Sequence, residues 1–182
     1  MFELEPSPLR HVVLGLVGLV ACVYDIRWRV LPDWLTIGGM VLGLILGGVV
    51  GGWDGAVWAG AGMVCGLGVF WLLWTLGMVG SGDVLLMGAC GALLGWPLVL
   101  YGLVFATLAG MVIGLGLSLV RGNLFRVFKN LWITVASTFN PRRKRVPLSD
   151  LPTDELPYAV AIAVGCGWAA LVPYWPLLNI VG

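Results

Sequence analysis

Six apolar runs dominate this chain, at about residues 9–24, 34–50, 56–79, 83–95, 98–120 and 158–178. A helix that crosses a bilayer needs about 20 predominantly apolar residues, somewhat fewer where interfacial groups flank it. Hydrocarbon offers no partner for backbone N–H and C=O groups, so a span must satisfy them internally, as a helix does. Charge nearly vanishes along these runs: Asp83 is the only charged residue between Asp54 and Arg121. The whole chain is 60% hydrophobic and 10% charged, with a mean hydropathy of +1.01, whereas soluble domains carry about 25% charged residues. The expected fold is therefore all-α: a polytopic membrane bundle of about six transmembrane helices, one domain over residues 1–182. The run at 83–95 is the shortest. At about 1.5 Å per residue it barely crosses.

The basic residues orient this bundle. With six spans, loops one, three and five share a side. They hold Arg27, Arg29, Arg121, Arg126, Lys129, Arg142, Arg143, Lys144 and Arg145, and the other side holds only Arg10. Basic loops stay in the cytoplasm, which puts both termini outside. A five- or seven-span count would break this agreement. The first run is expected to remain a transmembrane helix. "LVAC" (19–22) resembles a lipoprotein cleavage box, but the preceding "MFELEPSP" carries Glu3 and Glu5 where a signal peptide is basic. Trp28, Trp34, Trp53 and Trp96 fall at span edges and read as interfacial anchors, and His11 sits at the outer end of the first span.

The long cytoplasmic loop, about 121–157, has two parts. "NLFRVFKNLWITVASTF" places Leu124, Phe128, Leu131 and Val135 at helical spacing with polar groups elsewhere, so one amphipathic interfacial helix is expected there. "PRRKR" (141–145) then reads as a lipid-headgroup contact, and Asp150, Asp154 and Glu155 as a solvated acidic turn. Basic residues cluster only beside spans, so the lipid bilayer rather than nucleic acid is the expected partner. Cys22, Cys65, Cys90 and Cys166 lie in apolar stretches with no C-x-x-C pair, which suits small core residues and implies no metal. Small residues recur every four positions, as in Gly43-Gly47-Gly51, Gly62-Gly66, Gly91-Gly95 and Ala106-Gly110-Gly114-Ser118. They are expected to let helices pack closely, and they leave the oligomeric state open.

The acids carry the chemistry. Two of them abut the cytoplasmic ends of spans: Asp25 closes the first and Asp83 opens the fourth. They are 58 residues apart, but two intervening spans return them to the same face. Two facing carboxylates cannot both ionise cheaply, so one keeps its proton. The ionised partner could take a proton from water as it attacks a peptide carbonyl, while the protonated one stabilises the oxyanion. Gly80 and Gly82, lacking Cβ atoms, would admit an extended peptide beside Asp83. The same residues allow other readings. An Asp at a helix start is a common cap, Asp25 could pair with Arg27 or Arg29, and intramembrane acids also build proton or ion pathways. A small ion-coupled transporter and a non-catalytic assembly subunit remain open at this point.

Three blocks resemble the prepilin peptidases, also called type 4 leader peptidases, which are G-x-G-D intramembrane aspartyl proteases. They are "YDIRWRVLPDWLTI", with Asp25 and with Pro32 at the next span's start, "GSGD" (80–83), and "LPYAVAIAVG" opening the last span. The resemblance implies an aspartic endopeptidase of the cytoplasmic membrane with Asp25 and Asp83 as the catalytic pair. It implies no cofactor, and a cytoplasmic cut after a glycine that removes the basic leader of a prepilin-like protein. Presenilin-type proteases share Y-D and G-x-G-D motifs, but on adjacent spans. The chain is similar to the compact Tad/Flp-type enzymes, and the cysteine-paired methyltransferase segment of larger relatives is missing, so N-methylation is not implied. Two positions depart from the family's habit: Leu85 stands where Lys is usual, and Asp33 where Asn is usual.

Overall fold

The structure, a computed structural model, describes residues 8–120 and 158–174. Every regular element among them is helical: α1 (Pro8–Trp28), α2 (Asp33–Thr75), α3 (Ser81–Leu94), α4 (Leu98–Val120) and α5 (Tyr158–Leu171), which a 3₁₀ turn (Val172–Tyr174) continues. Three helices are long and apolar enough to cross a membrane: Pro8–Trp28, Asp33–Thr75 and Leu98–Leu117. Ser81–Leu94 and Tyr158–Tyr174 are apolar but shorter. The all-helical expectation holds, and so does the expectation that the stretch beginning at Asp83 is short. The amphipathic segment at 123–139, "PRRKR", the acidic turn at 150–155 and both termini lie outside the described residues.

The expected break near 51–54 takes the form of a reversal inside α2. Gly52 has φ 60° and ψ −144°, a conformation that a side chain would oppose. The halves on either side fold back on each other. A Cβ built on Gly47 would lie 2.7 Å from the Gly55 carbonyl oxygen and 2.8 Å from the Ala59 Cβ, and one on Gly60 would meet Leu44. In a straight helix residues eight apart would be separated by about 12 Å.

The second half stops at Thr75, four residues before the expected limit of 79. Gly77, at φ 71°, donates to the Trp74 carbonyl (2.8 Å) while Met78 reaches the Leu73 carbonyl (3.0 Å). This is the Schellman closure, in which a left-handed glycine satisfies the last carbonyls. The last helix gives way at Leu171 to a 3₁₀ turn containing Pro173, one of the two prolines expected to interrupt this span; residues 175–178 lie outside the described residues.

Helix α3 is the centre: every residue from Leu86 to Leu94 is buried. Both halves of α2 clasp it through glycines. Gly39 and Gly43 lie on Ala89 and Ala92, Gly62 lies on Gly91 and Gly95, and Gly66 lies on Met87. On the other side α5 joins α4 through Gly165 and Ala106, and joins α1 through Gly18 and Ala163. The small-residue ladders thus act mainly as helix contacts, although Gly51 faces open space. Large apolar side chains point outward instead. Leu9, Val12, Leu16, Leu19, Val23 and Ile26 form an exposed stripe along α1. Small residues inside and large apolar residues outside suit lipid rather than water as the solvent. Trp28, Trp34 and Trp53 are exposed at helix ends, and the Arg27 guanidinium lies 5.4 Å from the Trp28 ring centre.

Candidate active site

Consecutive helical segments run in opposite directions, so the end of α1, the start of α3 and the start of α5 gather at one end of the bundle. Asp25 lies in the last turn of α1. The helix closes when Arg29, at φ 53°, donates its N–H to the Asp25 carbonyl (3.0 Å). Pro32 then starts α2: its carbonyl accepts from the amides of Leu35 (3.1 Å) and Thr36 (3.4 Å). Between them Leu31 folds over the start of α3. A Cβ on Gly82 would lie 3.1 Å from the Leu31 Cβ, so the missing side chain at Gly82 accommodates the α1–α2 connection.

Asp83 is the third residue of α3. Its Oδ2 accepts the Gly80 N–H at 3.0 Å. This is the reaching-back half of a capping box, while Gly80 has no side chain to supply the other half. Asp83 thus does help cap the helix, but from its third position, with Gly80 rather than Asp83 as the N-cap residue.

The environment of Asp25 is of another kind. Its Oδ2 accepts the N–H of Ala159, the second residue of α5, at 3.1 Å. First-turn amides have no partner inside their own helix, so Asp25 caps α5 from a different helix. Cys22, one turn earlier on α1, directs its thiol at the Ala159 carbonyl (3.8 Å).

The two sequence-identified acids stand at the same end of the bundle, Asp25 on the last turn of α1 and Asp83 on the first turn of α3, with the start of the last helix bonded to Asp25. Both carboxylates are half-buried. Tyr158 is packed over Gly110 of α4, where an added Cβ would lie 3.3 Å from the phenol oxygen. Parts of α1, α3, α4 and α5 thus meet within one small volume. Asp33 is exposed at the start of α2, and Leu85 is half-buried on α3. Among the described residues no three His, Cys, Asp or Glu side chains gather as a metal-binding group.

Sequence reasoning missed two contributions. Ala159 offers only its main chain, and a main-chain donor leaves no trace in residue type beyond the expected start of the last helix. The second lies at the opposite end. Arg10 of α1 donates through Nη2 to the Ala92 carbonyl (3.1 Å) in the last turn of α3, and its Nε is buried without a partner. Its isolation on the basic-poor side was the available signal. His11 packs there edge-on against Tyr174, with centroids 5.9 Å apart, away from the acids.

Comparison with known proteins places the chain among leader peptidases. The prepilin leader peptidase/N-methyltransferase of Aeromonas salmonicida (strain A449) is 36% identical over 113 residues, 58% of this chain and 38% of its own length. The protein of the same name from Aeromonas hydrophila matches equally, over 39% of its length. That of Escherichia coli (strain K12) is 31% identical over 150 residues, 74% of this chain and 65% of its own length. The chain therefore spans well under half of the Aeromonas relatives. No solved structure matches it significantly. Residues 12–115, which include both acids, match the type IV leader peptidase family, and the chain belongs to that family.

Proposed function

We propose that this protein is a membrane-embedded aspartic endopeptidase that removes the basic leader from prepilin-like proteins. What supports the reading is the placement of Asp25 and Asp83, from helices far apart in sequence, at the same end of the bundle where those two helices pack together. Two carboxyl groups at the end of an apolar bundle are costly to bury, and the resemblance to the type IV leader peptidases suggests a reaction that would use them.

The pair shares one proton. The ionised carboxylate removes a proton from water as the oxygen attacks the scissile carbonyl carbon. The protonated carboxyl donates a hydrogen bond to the carbonyl oxygen, where negative charge develops. Collapse of the tetrahedral intermediate breaks the C–N bond, and the proton taken from water passes to the leaving amine. The protons belong to the pair rather than to either residue. No metal or covalent intermediate is required. Gly80, Gly82 and Pro32 support the site by shaping the two connections beside the acids.

In the same reading the chain crosses the inner membrane six times with both termini outside. The acids then face the cytoplasm, where the leader emerges, and the apolar helix of the substrate stays in the bilayer beside the bundle. The charge asymmetry of the loops supports this orientation. The test is cleavage of a co-reconstituted small pilin in liposomes by the native chain, Asp25→Asn and Asp83→Asn. The native chain should cleave and neither variant should. Cleavage by both variants would remove the dyad assignment, and an ion flux without any cleavage would favour a transporter.

A further inference from the structure

The last helix reaches Asp25 through its main chain: Ala159 gives its N–H to the Asp25 carboxylate at 3.1 Å. Ala159 is fully buried, and its carbonyl receives the Cys22 thiol. Its amide belongs to the first turn of α5, where the helix itself provides no acceptor. Asp25, in contrast, is on the last turn of α1, where exposed carbonyls repel a carboxylate. The amide of another helix therefore both satisfies itself and offsets the unfavourable end of α1.

We propose that the Ala159 amide is a positioning group for the dyad. By holding Oδ2 it fixes the rotation of the Asp25 carboxylate, leaving Oδ1 outside that bond. Docking of α5 is thereby coupled to the geometry of the acids. This rests on the peptidase reading. The bond itself, however, can be tested without catalysis.

Hydrogen exchange at the Ala159 amide, followed by NMR on the full chain in micelles, reads the bond directly. Asp25→Ala should speed exchange at this amide by about tenfold or more, and Asp25→Asn, which keeps an acceptor oxygen, should not. Unchanged exchange in Asp25→Ala overturns the proposal. The catalytic half uses Ala159→lactic acid, introduced by nonsense suppression, which replaces the N–H by an oxygen and keeps the methyl group. The expected result is a fall in kcat of about 10- to 100-fold, the scale of a misplaced catalytic group, with KM changed less than twofold. An unchanged kcat, or a rise in KM alone, overturns the positioning role. A native chain that cleaves no pilin overturns the peptidase reading and this inference with it, while the exchange result still reports the bond.

Discussion

Helices α1 and α3 meet at both ends of the bundle, and the two meetings follow opposite electrostatic logic. At one end Arg10 of α1 donates to the Ala92 carbonyl of α3. A cation placed on the carbonyl-rich terminus of a helix is the favourable arrangement. At the other end Asp25, on the last turn of α1, and Asp83, on the first turn of α3, stand on the same side of the bundle. A second carboxylate beside the first is unfavourable, and each needs a backbone amide to hold it, Ala159 for one and Gly80 for the other. The Arg10 end is explained by stability alone. The acid end places two carboxyl groups in an apolar setting, and the proposed peptidase reaction would account for them.

The largest expected effect tests that division directly. Asp25→Asn and Asp83→Asn should each lower leader cleavage by about 10²–10⁴-fold, the scale of general acid–base catalysis. The thermal midpoint in micelles should change little, because asparagine keeps an acceptor oxygen for the Ala159 or Gly80 N–H. Loss of cleavage that only tracks loss of folded protein would erase the contrast between the two ends.

Between the ends α3 is gripped by backbone contact. A Cβ on Gly91 would strike the Gly62 carbonyl, whereas one on Gly68 would meet nothing within 4 Å. Gly91→Ala should therefore destabilise by about 1–3 kcal/mol, the usual cost of overpacking. Gly68→Ala should be neutral or stabilise slightly, since alanine favours helix. Denaturant titration in micelles separates the two. Equal effects would mean that α2 does not clasp α3 as described.

Much of this was readable beforehand, for physical reasons that differ by residue. The apolar runs announced the helices because lipid imposes one composition on every span. Counting spans put Asp25 and Asp83 on one face, since direction alternates whatever the detailed packing. The cap on Asp83 was readable because its partner is three residues away. The cap that Asp25 places on α5 was not, because its partner is 134 residues away and is a main-chain amide. The end of α2 came early because Gly77 closes the helix, a signal hidden among 28 glycines. Gly82 reads from sequence as space for substrate, but at this position packing places Leu31.

Arg10 supplies the next test. Arg10→Met keeps much of the apolar stem and removes the donor to α3. Hydrogen bonds of this kind are worth about 1–2 kcal/mol, and the lone buried Nε, which costs energy unpaired, disappears with it. The expected outcome is a loss of about 1 kcal/mol in stability with kcat per folded molecule unchanged. A fall in kcat at constant folded fraction would show that the two ends are coupled along α1 rather than independent.

The smallest expected effect concerns the double role of Asp83. As a capping acceptor it needs only an oxygen, but as an acid it needs a titrating proton. Asp83→Asn keeps the oxygen for the Gly80 N–H, so stability should change by only a few tenths of a kcal/mol, while Asp83→Ala should cost about 0.5–1 kcal/mol through the lost cap. Cleavage should be absent in both. Thermal unfolding of the two variants side by side thus divides what the sequence left joined: a difference in stability measures the cap, and the shared loss of cleavage belongs to the acid. If Asn proved as destabilising as Ala, the carboxylate charge itself would be holding the start of α3, and the acid end would then owe part of its existence to structure.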